Sequence, residues 1–347
     1  MGGKRILVTG GSGTIGSRMV ARLVASGADV VRVFGRDETK QFYQRHRYRD
    51  ESHVRFLIGD VRDADRLRRA VEGIDIVFHC AALKHVESGE YNPFEATQTN
   101  VIGTQNVIDA CLGAGVETMV LTSSDKAANP SSVMGASKLL AEKLVTAATN
   151  YRGRHATTFA SVRFGNVLGS RGSAIELFAG QIAAGDPVTV TDPSMTRFVM
   201  TPDRAVDLAL EAAAIARGGE VFVFKMPVAR LGDLVDAAID VYAPLFGRDP
   251  RDVRRVSIPT RPGEKGYEEL MTADESLRAR DVGAMYAVLP AIEMLPEVGD
   301  AYAEVPAAQV GPYRSEHVTP MAAGEVRRLL EEVVAEDARG ARPIGAG

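Results

Sequence analysis

A β-rich run, Arg5-Ile6-Leu7-Val8-Thr9, passes directly into Gly10-Gly11-Ser12-Gly13-Thr14-Ile15-Gly16 and then into a helical pattern carried by Met19, Leu23 and Val24. Few local sequences leave so few folds open. Glycines at this spacing between a strand and a helix mark a βαβ unit built to hold a dinucleotide. Gly10 makes the turn, Gly13 lets backbone approach a pyrophosphate, and Gly16 lets the helix pack on the sheet. The helix N-terminus supplies N–H groups and partial positive charge to the phosphates. Ser12, Thr14 and Ile15 are therefore candidate cofactor contacts beside the three glycines.

The second strand, Val30 to Phe34, ends in Gly35-Arg36-Asp37-Glu38-Thr39-Lys40. An acid at this strand end grips a ribose 2′-hydroxyl, whereas Arg36 with Lys40 suits a 2′-phosphate. The expected cofactor is NADP, with NAD kept open by Asp37 and Glu38. The basic, aromatic stretch Gln41 to Arg49 reads as a solvated helix face. Val54 to Val61 predicts a third strand, whose Asp60, next to Val61, can accept from an adenine amino group. Ile74 to Ala82 predicts a fourth, with Ala81 and Ala82 small enough to pass a nicotinamide ribose. Lys84 and His85 follow at the rim, within reach of cofactor or substrate. Asn100, a further cofactor candidate, is expected to begin a long helix toward Cys111. Four βα units in succession predict an α/β fold with a doubly wound parallel sheet.

Charged and apolar fractions are ordinary for a globular protein, and a formal charge of −4 offers no electrostatic case for nucleic acid or an anionic membrane. No apolar run is long enough to span a bilayer, and no secretory h-region precedes the first strand. Cys80 and Cys111 sit in apolar contexts without ligand spacing, which predicts reduced thiols, no metal site and a cytoplasmic protein.

A fifth strand is expected at Glu117 to Leu121, so that Ser124, Asp125 and Lys126 emerge at its carboxyl end, where open α/β sheets bind ligands. A hydroxyl, an acid and an amine in consecutive positions, with Lys138 on the following helix, suit proton transfer between groups of separated pKa. After a sixth strand at Thr157 to Phe164, Asn166 lies in a glycine-flanked loop shaped for a small ligand. Helices are expected at Ser173 to Ala184, Thr201 to Ala216 and Leu231 to Val241, with a short one near Val326 to Val334. Arg197 is one cation among apolar neighbours and needs an anion. The turn Arg261-Pro262-Gly263-Glu264-Lys265 offers Arg261 to phosphate and Glu264 to a ribose hydroxyl. The expected domains are a dinucleotide-binding domain over 1–168, completed by strands from later in the chain, and a smaller α/β substrate-binding domain over 169–337. A disordered tail, 338–347, is expected to follow.

The glycine loop, His79-Cys80-Ala81-Ala82-Leu83-Lys84-His85-Val86, Ser124-Asp125-Lys126-Ala127-Ala128-Asn129-Pro130, Met134-Gly135-Ala136-Ser137-Lys138 and Arg163 to Ser170 together resemble extended short-chain dehydrogenase/reductases of the Rossmann type. More narrowly, the chain is similar to the UDP-N-acetylglucosamine 4,6-dehydratases of polysaccharide and capsule biosynthesis. In one departure, Met134 stands where the wider superfamily has tyrosine four residues before the active-site lysine. A thioether takes no proton from sugar O4, and several capsular 4,6-dehydratases carry methionine there.

The resemblance implies oxidation at sugar C4, after which Lys126 removes the C5 proton and Asp125 protonates the departing C6 hydroxyl. It further implies that Ser124 bonds O4 and that Lys138 holds the nicotinamide ribose. Asn166, Arg197, Arg261 and Glu264 would bind the UDP moiety of a nucleotide-sugar substrate, in a homo-oligomer. Tyr313-Arg314-Ser315 is similar to the subgroup that also inverts C5. A 4-epimerase or a 5,6-dehydratase on the same scaffold is the nearest rival. A non-catalytic NADP-binding regulator marked by Met134 is the rival from another class.

Overall fold

The computed structural model describes residues 1–260, 265–292 and 295–340, with side chains in the last span as far as Glu336. It divides into two units. The first comprises Met1–Phe164, Val206–Lys225 and Leu270–Pro312, and the second Gly165–Ala205, Met226–Glu269 and Tyr313–Gly347. The expected boundary at Leu168 thus falls just inside the second unit, and the first takes back two later segments.

Among the described residues, nine strands of the first unit form one sheet: β1 (Arg5–Thr9), β2 (Val30–Gly35), β3 (Val54–Ile58), β4 (Ile76–His79), β5 (Thr118–Thr122), β6 (Thr158–Arg163), β7 (Val221–Phe224), β8 (Ala279–Asp281) and β9 (Met285–Val288). Their order is β8-β9-β7-β6-β5-β4-β1-β2-β3. Pairing is parallel from β3 through to β7, while β8 and β9 close the edge antiparallel. This is the doubly wound sheet the βα repeats predict. Its order reverses between β1 and β4, the switch point where such sheets bind ligands. Ile6, Leu7 and Val8 are all fully buried, as a strand covered on both faces requires.

Helix α1 (Thr14–Ala25) packs on β1 and β2. The chain continues through α2 (Glu38–Arg47), α3 (Ala64–Val71), α4 (Gly103–Ala114) and α5 (Val133–Tyr151). Leu7, Val77, Met119, Leu121 and Phe159 from the strands form one apolar core with Leu67, Val107, Ile108, Ala141 and Val145 from the helices. The stretch Gln41 to Arg49, expected as a solvated helix face, lies mostly on the helix α2, whose inner side buries Gln41 and Gln44 with their amides bonding backbone oxygens of Gly35, Leu57 and Gly11. Helix formation around Asn100 begins earlier than expected, at Pro93, and passes through a π-helical turn, Thr97–Ile102, before α4.

In the second unit, α6 (Ala174–Ala184) and α8 (Ala323–Gly340) both pack on α7 (Leu231–Leu245). Phe178, Ile182, Leu234, Ala238, Leu330 and Val333 lie in their shared core. Strands Asn166–Val167, Thr196–Met200 and Val228–Arg230 form a small sheet. Helix α8 is longer than the short helix expected and takes in 338–340, the first residues assigned to a tail; 341–347 lie outside the described residues. Cys80 and Cys111 are free thiols, and burial pushes the Cys80 thiol up to about 12.

One glycine shows how tightly the first turn is drawn. A Cβ on Gly16 would stand 2.2 Å from Gly10 O and 2.7 Å from Gly11 Cα. Gly16→Ala is therefore expected to destabilise the fold by roughly 1–3 kcal/mol through overpacking. Urea denaturation measures it, and an unshifted midpoint would contradict so close an approach.

Candidate active site

The register of β1 on β4 sets Thr9 opposite His79. The next residue, Gly10, has φ +66°, and a Cβ on it would lie 2.7 Å from Ala81 N. Only glycine meets both demands. Gly13 is the N-cap of α1 and no side chain caps the helix, at the end where backbone N–H groups and the helix dipole favour an anion.

Beneath this loop runs a buried hydrogen-bond chain. Ala81 N–H donates to Thr9 Oγ1 at 3.4 Å, and Thr9 Oγ1 lies 2.6 Å from His79 Nδ1. His79 Nε2 lies 3.1 Å from Thr104 Oγ1, whose hydroxyl donates to Asn100 O at 2.7 Å. Because that hydroxyl proton is committed, Nε2 carries the imidazole proton and Nδ1 accepts from Thr9, a tautomer assigned from the network. Burial, reinforced by the Lys138 charge, lowers the His79 pKa to about 3. Both ring nitrogens are occupied, and the ring is neutral.

Asn100, in the π-helical turn, accepts from Leu83 N at 2.8 Å and donates to Leu83 O at 3.0 Å and Ser137 Oγ at 2.9 Å. It thereby pins the strand-end loop that carries Ala81, Ala82 and Lys84 to the helix that carries Lys138. Lys84 and His85 are exposed at the rim, and His85 is the N-cap residue of the short helix Val86–Tyr91, without a side-chain capping bond.

Directly after β5, Asp125–Ala127 forms a single 3₁₀ turn. Ser124 Oγ donates to Asp125 Oδ1 at 2.7 Å. Lys126 Nζ donates to Oδ1 at 3.2 Å and to Oδ2 at 3.0 Å. The Asp125 side chain is only 6% exposed, against 37% for Lys126. The carboxylate is thus turned into the protein, while the amine stands partly in solvent. The turn is held from outside by Asp125 N–H donating to Phe164 O, and by Gly135, where a Cβ would sit 2.4 Å from Lys126 O. Gly135 lets α5 close on the turn. Its local signal is the glycine in Met134-Gly135-Ala136, which the sequence reading left without a role.

Ser132 caps α5 by accepting from Gly135 N at 3.1 Å. Met134 is 5% exposed, and Lys138 Nζ donates to Thr122 O at 2.6 Å. Burial lowers the Lys138 pKa to about 8, although the Glu142 carboxylate one turn on pulls the other way. An unfolded Lys138 stays protonated up to about 10.5, so between pH 8 and 10.5 the unfolded chain holds the extra proton. The sign follows: stability from this group rises with pH through that window and is constant below it. Parent protein should gain stability over Lys138→Met between pH 8 and 10.5; a pH-independent difference would count against the shift.

The two cations expected to meet a 2′-phosphate have carboxylate partners. Arg36 Nη1 lies 3.5 Å from Asp60 Oδ2, and Lys40 pairs with Asp37, the N-cap of α2. Asp60 accepts from Arg62 Nη2 at 2.8 Å and from Arg62 N at 3.0 Å. Burial opposes its ionisation, but bonds and charge from Arg62, with Arg36 beyond, hold it below its ordinary value. Val61, beside it, is buried.

In the second unit, the anion that Arg197 needs is Glu268, Nε to Oε1 at 3.7 Å, a residue the sequence reading did not single out. Asn166 Nδ2 donates to the same carboxylate at 2.8 and 2.9 Å and to Phe198 O at 3.0 Å. Phe198 N–H donates to Glu268 Oε2 at 3.1 Å. Arg197 also lines a cavity of about 730 Å3 with Ser173, Gln181, Thr189, Leu231 and Ile258. Ser173 also caps the N-terminus of α6, accepting from Glu176 N–H. Arg261 and Glu264 lie outside the described residues.

Residues 6–290 match the family described as polysaccharide biosynthesis protein. The chain is similar to the X-ray structure of Pen from Bacillus thuringiensis, at 44% identity and a TM-score of 0.87, covering 95% of this chain and 98% of that one. It is 39% identical over 289 residues to a UDP-glucose 4-epimerase of Rickettsia canadensis, 82% of each chain. It is 38% identical over 300 residues to a UDP-N-acetylglucosamine 4,6-dehydratase (inverting) of Campylobacter jejuni, 86% of each.

Proposed function

The chain belongs to the polysaccharide biosynthesis protein family, and we propose that within it the protein is a nucleotide-sugar 4,6-dehydratase acting on UDP-GlcNAc or a close relative. The observation that carries this reading is the bonded series Ser124, Asp125 and Lys126, with the carboxylate buried. A 4-epimerase has no use for a base at C5 and an acid at C6, whereas a 4,6-dehydratase needs both.

A nicotinamide dinucleotide fits the loop that Gly10, Gly13 and Gly16 leave free of side chains and the uncapped N-terminus of α1. When bound, it supplies the hydride acceptor for C4 and the donor for C6. Lys138 would hold its nicotinamide ribose, Asn100, with its amide bonded to Leu83 and Ser137, would fix the loop beside the cofactor, and Ala81 and Ala82 would leave room for it. NADP is the proposed form, with Arg36 and Lys40 turning from their carboxylates to the 2′-phosphate. Arg36→Ala is expected to weaken NADP about tenfold, roughly 1.4 kcal/mol, and to leave NAD unchanged. Equal losses for both in a titration would reject that assignment.

On the sugar, Ser124 bonds O4, Lys126 takes the C5 proton and Asp125 gives a proton to the leaving C6 hydroxyl. Arg197 and Asn166 are proposed to bind the UDP moiety, exchanging Glu268 for its pyrophosphate and ribose. The Campylobacter relative is named as inverting, which supports inversion at C5 here. By analogy with the family the protein is taken as a cytoplasmic homo-oligomer. Among the described residues, no helix is long and apolar enough to cross a membrane.

The similarity to the Rickettsia protein favours a 4-epimerase as the second reading. Purified protein incubated with UDP-GlcNAc separates the two by mass. Loss of one water is the expected result, while an epimer of unchanged mass would replace the dehydratase reading.

A further inference from the structure

Oxidation at C4 requires that O4 lose its proton, and Met134, at the place of the usual tyrosine, cannot take it. Two other groups buried beside the site are committed elsewhere. His79 has both ring nitrogens bonded, to Thr9 of the sheet and to Thr104 of α4, and Lys138 donates into Thr122 O. What remains at the end of β5 is a hydroxyl already donating its proton to a buried carboxylate, Ser124 Oγ to Asp125 Oδ1 at 2.7 Å.

We propose that Ser124 and Asp125 together replace the missing tyrosine as the base for sugar O4. The C4–H electron pair passes as hydride to an oxidised nicotinamide, and the O4–H electrons close the C4 carbonyl. The O4 proton moves to Ser124 Oγ, and the serine proton moves on to Asp125 Oδ1. This step turns the carboxylate into the acid that elimination needs. Lys126, entering this step as the neutral amine, then takes the C5 proton and becomes an ammonium, Asp125 passes the proton that began on Ser124 to the C6 hydroxyl, which departs as water, and the ammonium later returns its proton to C5. Oxidation thus charges the acid for the next step, which a separate tyrosine would not do.

The inference rests on the dehydratase reading and deepens it, so its test needs a step that bypasses O4. The 4-keto product has no O4 proton, so exchange of its C5 hydrogen in heavy water calls for Lys126 and for no base at O4. Ser124→Ala is expected to slow single-turnover oxidation of UDP-GlcNAc by about 100-fold or more, the usual range for a lost proton acceptor. Its exchange of C5 in the 4-keto product should fall far less than its oxidation, because there only a hydrogen bond to O4 is lost and no proton acceptor, and Ser124→Thr should restore oxidation. Lys126→Ala should show the reverse pattern. Parental oxidation by Ser124→Ala, or loss of C5 exchange together with oxidation, would overturn the relay while leaving the dehydratase reading in place. A parent protein inert in both assays would overturn both.

Discussion

Lys126→Ala is expected to abolish dehydration of UDP-GlcNAc and deuterium incorporation at C5, each by about 10²–10⁴-fold, the range for removal of a positioned general base. The expectation comes from position. Lys126 Nζ lies 3.0 Å from a carboxylate that is 6% exposed, and its own side chain remains 37% exposed and able to reach a substrate. Asp125→Asn should separate the two functions, since the amide keeps the shape of the turn but cannot deliver a proton. That variant is expected to lose water elimination while C5 exchange on the 4-keto product persists. NMR of product formed in heavy water reads both. Undiminished exchange in Lys126→Ala would remove Lys126 from the C5 step.

The largest effect on stability is expected from Arg163→Met. Arg163 ends β6 with its side chain 1% exposed, between Glu142 of α5 at 2% and Glu275 at 9%. Its Nε and Nη2 bond both oxygens of Glu142 at 3.0 and 2.5 Å. Its Nη1 and Nη2 bond both oxygens of Glu275 at 2.9 Å, and Nη1 also reaches Leu270 O at 3.0 Å. Burial alone would favour a neutral Arg163, but the two carboxylates outweigh it and raise its pKa. The Glu275 carboxyl is likewise held low by Arg163 against its own burial.

Removing the cation leaves two buried carboxylates without a counter-charge, which costs about 3–5 kcal/mol. Replacing all three residues by apolar ones of similar volume should recover much of that loss, because desolvation of the charges then no longer has to be met. Denaturant midpoints of the single and triple variants decide the matter. A single variant within about 1 kcal/mol of the parent would mean that the triad behaves like a surface pair. The same cluster bears on the candidate active site, since Glu142 is the carboxylate that partly offsets the lowering of the Lys138 pKa.

Exposed pairs are expected to matter far less. Lys4 with Glu117 at 2.7 Å and Arg22 with Asp207 at 2.8 Å are each more than two-fifths exposed on both sides. Solvent screens pairs of this kind, and holding two long side chains in place offsets most of their attraction.

By itself the sequence determined the glycine turn, the order of βα units and the presence of a hydroxyl, an acid and an amine in three consecutive positions. Each of these is written in neighbouring residues: a strand passing into a turn, a helix cap, a side chain one or two bonds along the chain. Only the tertiary structure decided what those groups touch. Glu268 joins Asn166 and Arg197 across 102 and 71 positions of sequence, and Glu275 meets Arg163 across 112. The Thr9–His79–Thr104 chain crosses three separate elements, and the edge strands β8 and β9 are too short to declare themselves by alternation. Local periodicity reports which face of an element is apolar, but a buried charge reveals its partner only when folding brings distant segments into hydrogen-bond range. The carboxylate of Asp125 could be read as a candidate from its neighbours. That it is buried, and bonded on one side by a serine and on the other by a lysine, was settled by the packing of β5, β6 and α5 around it.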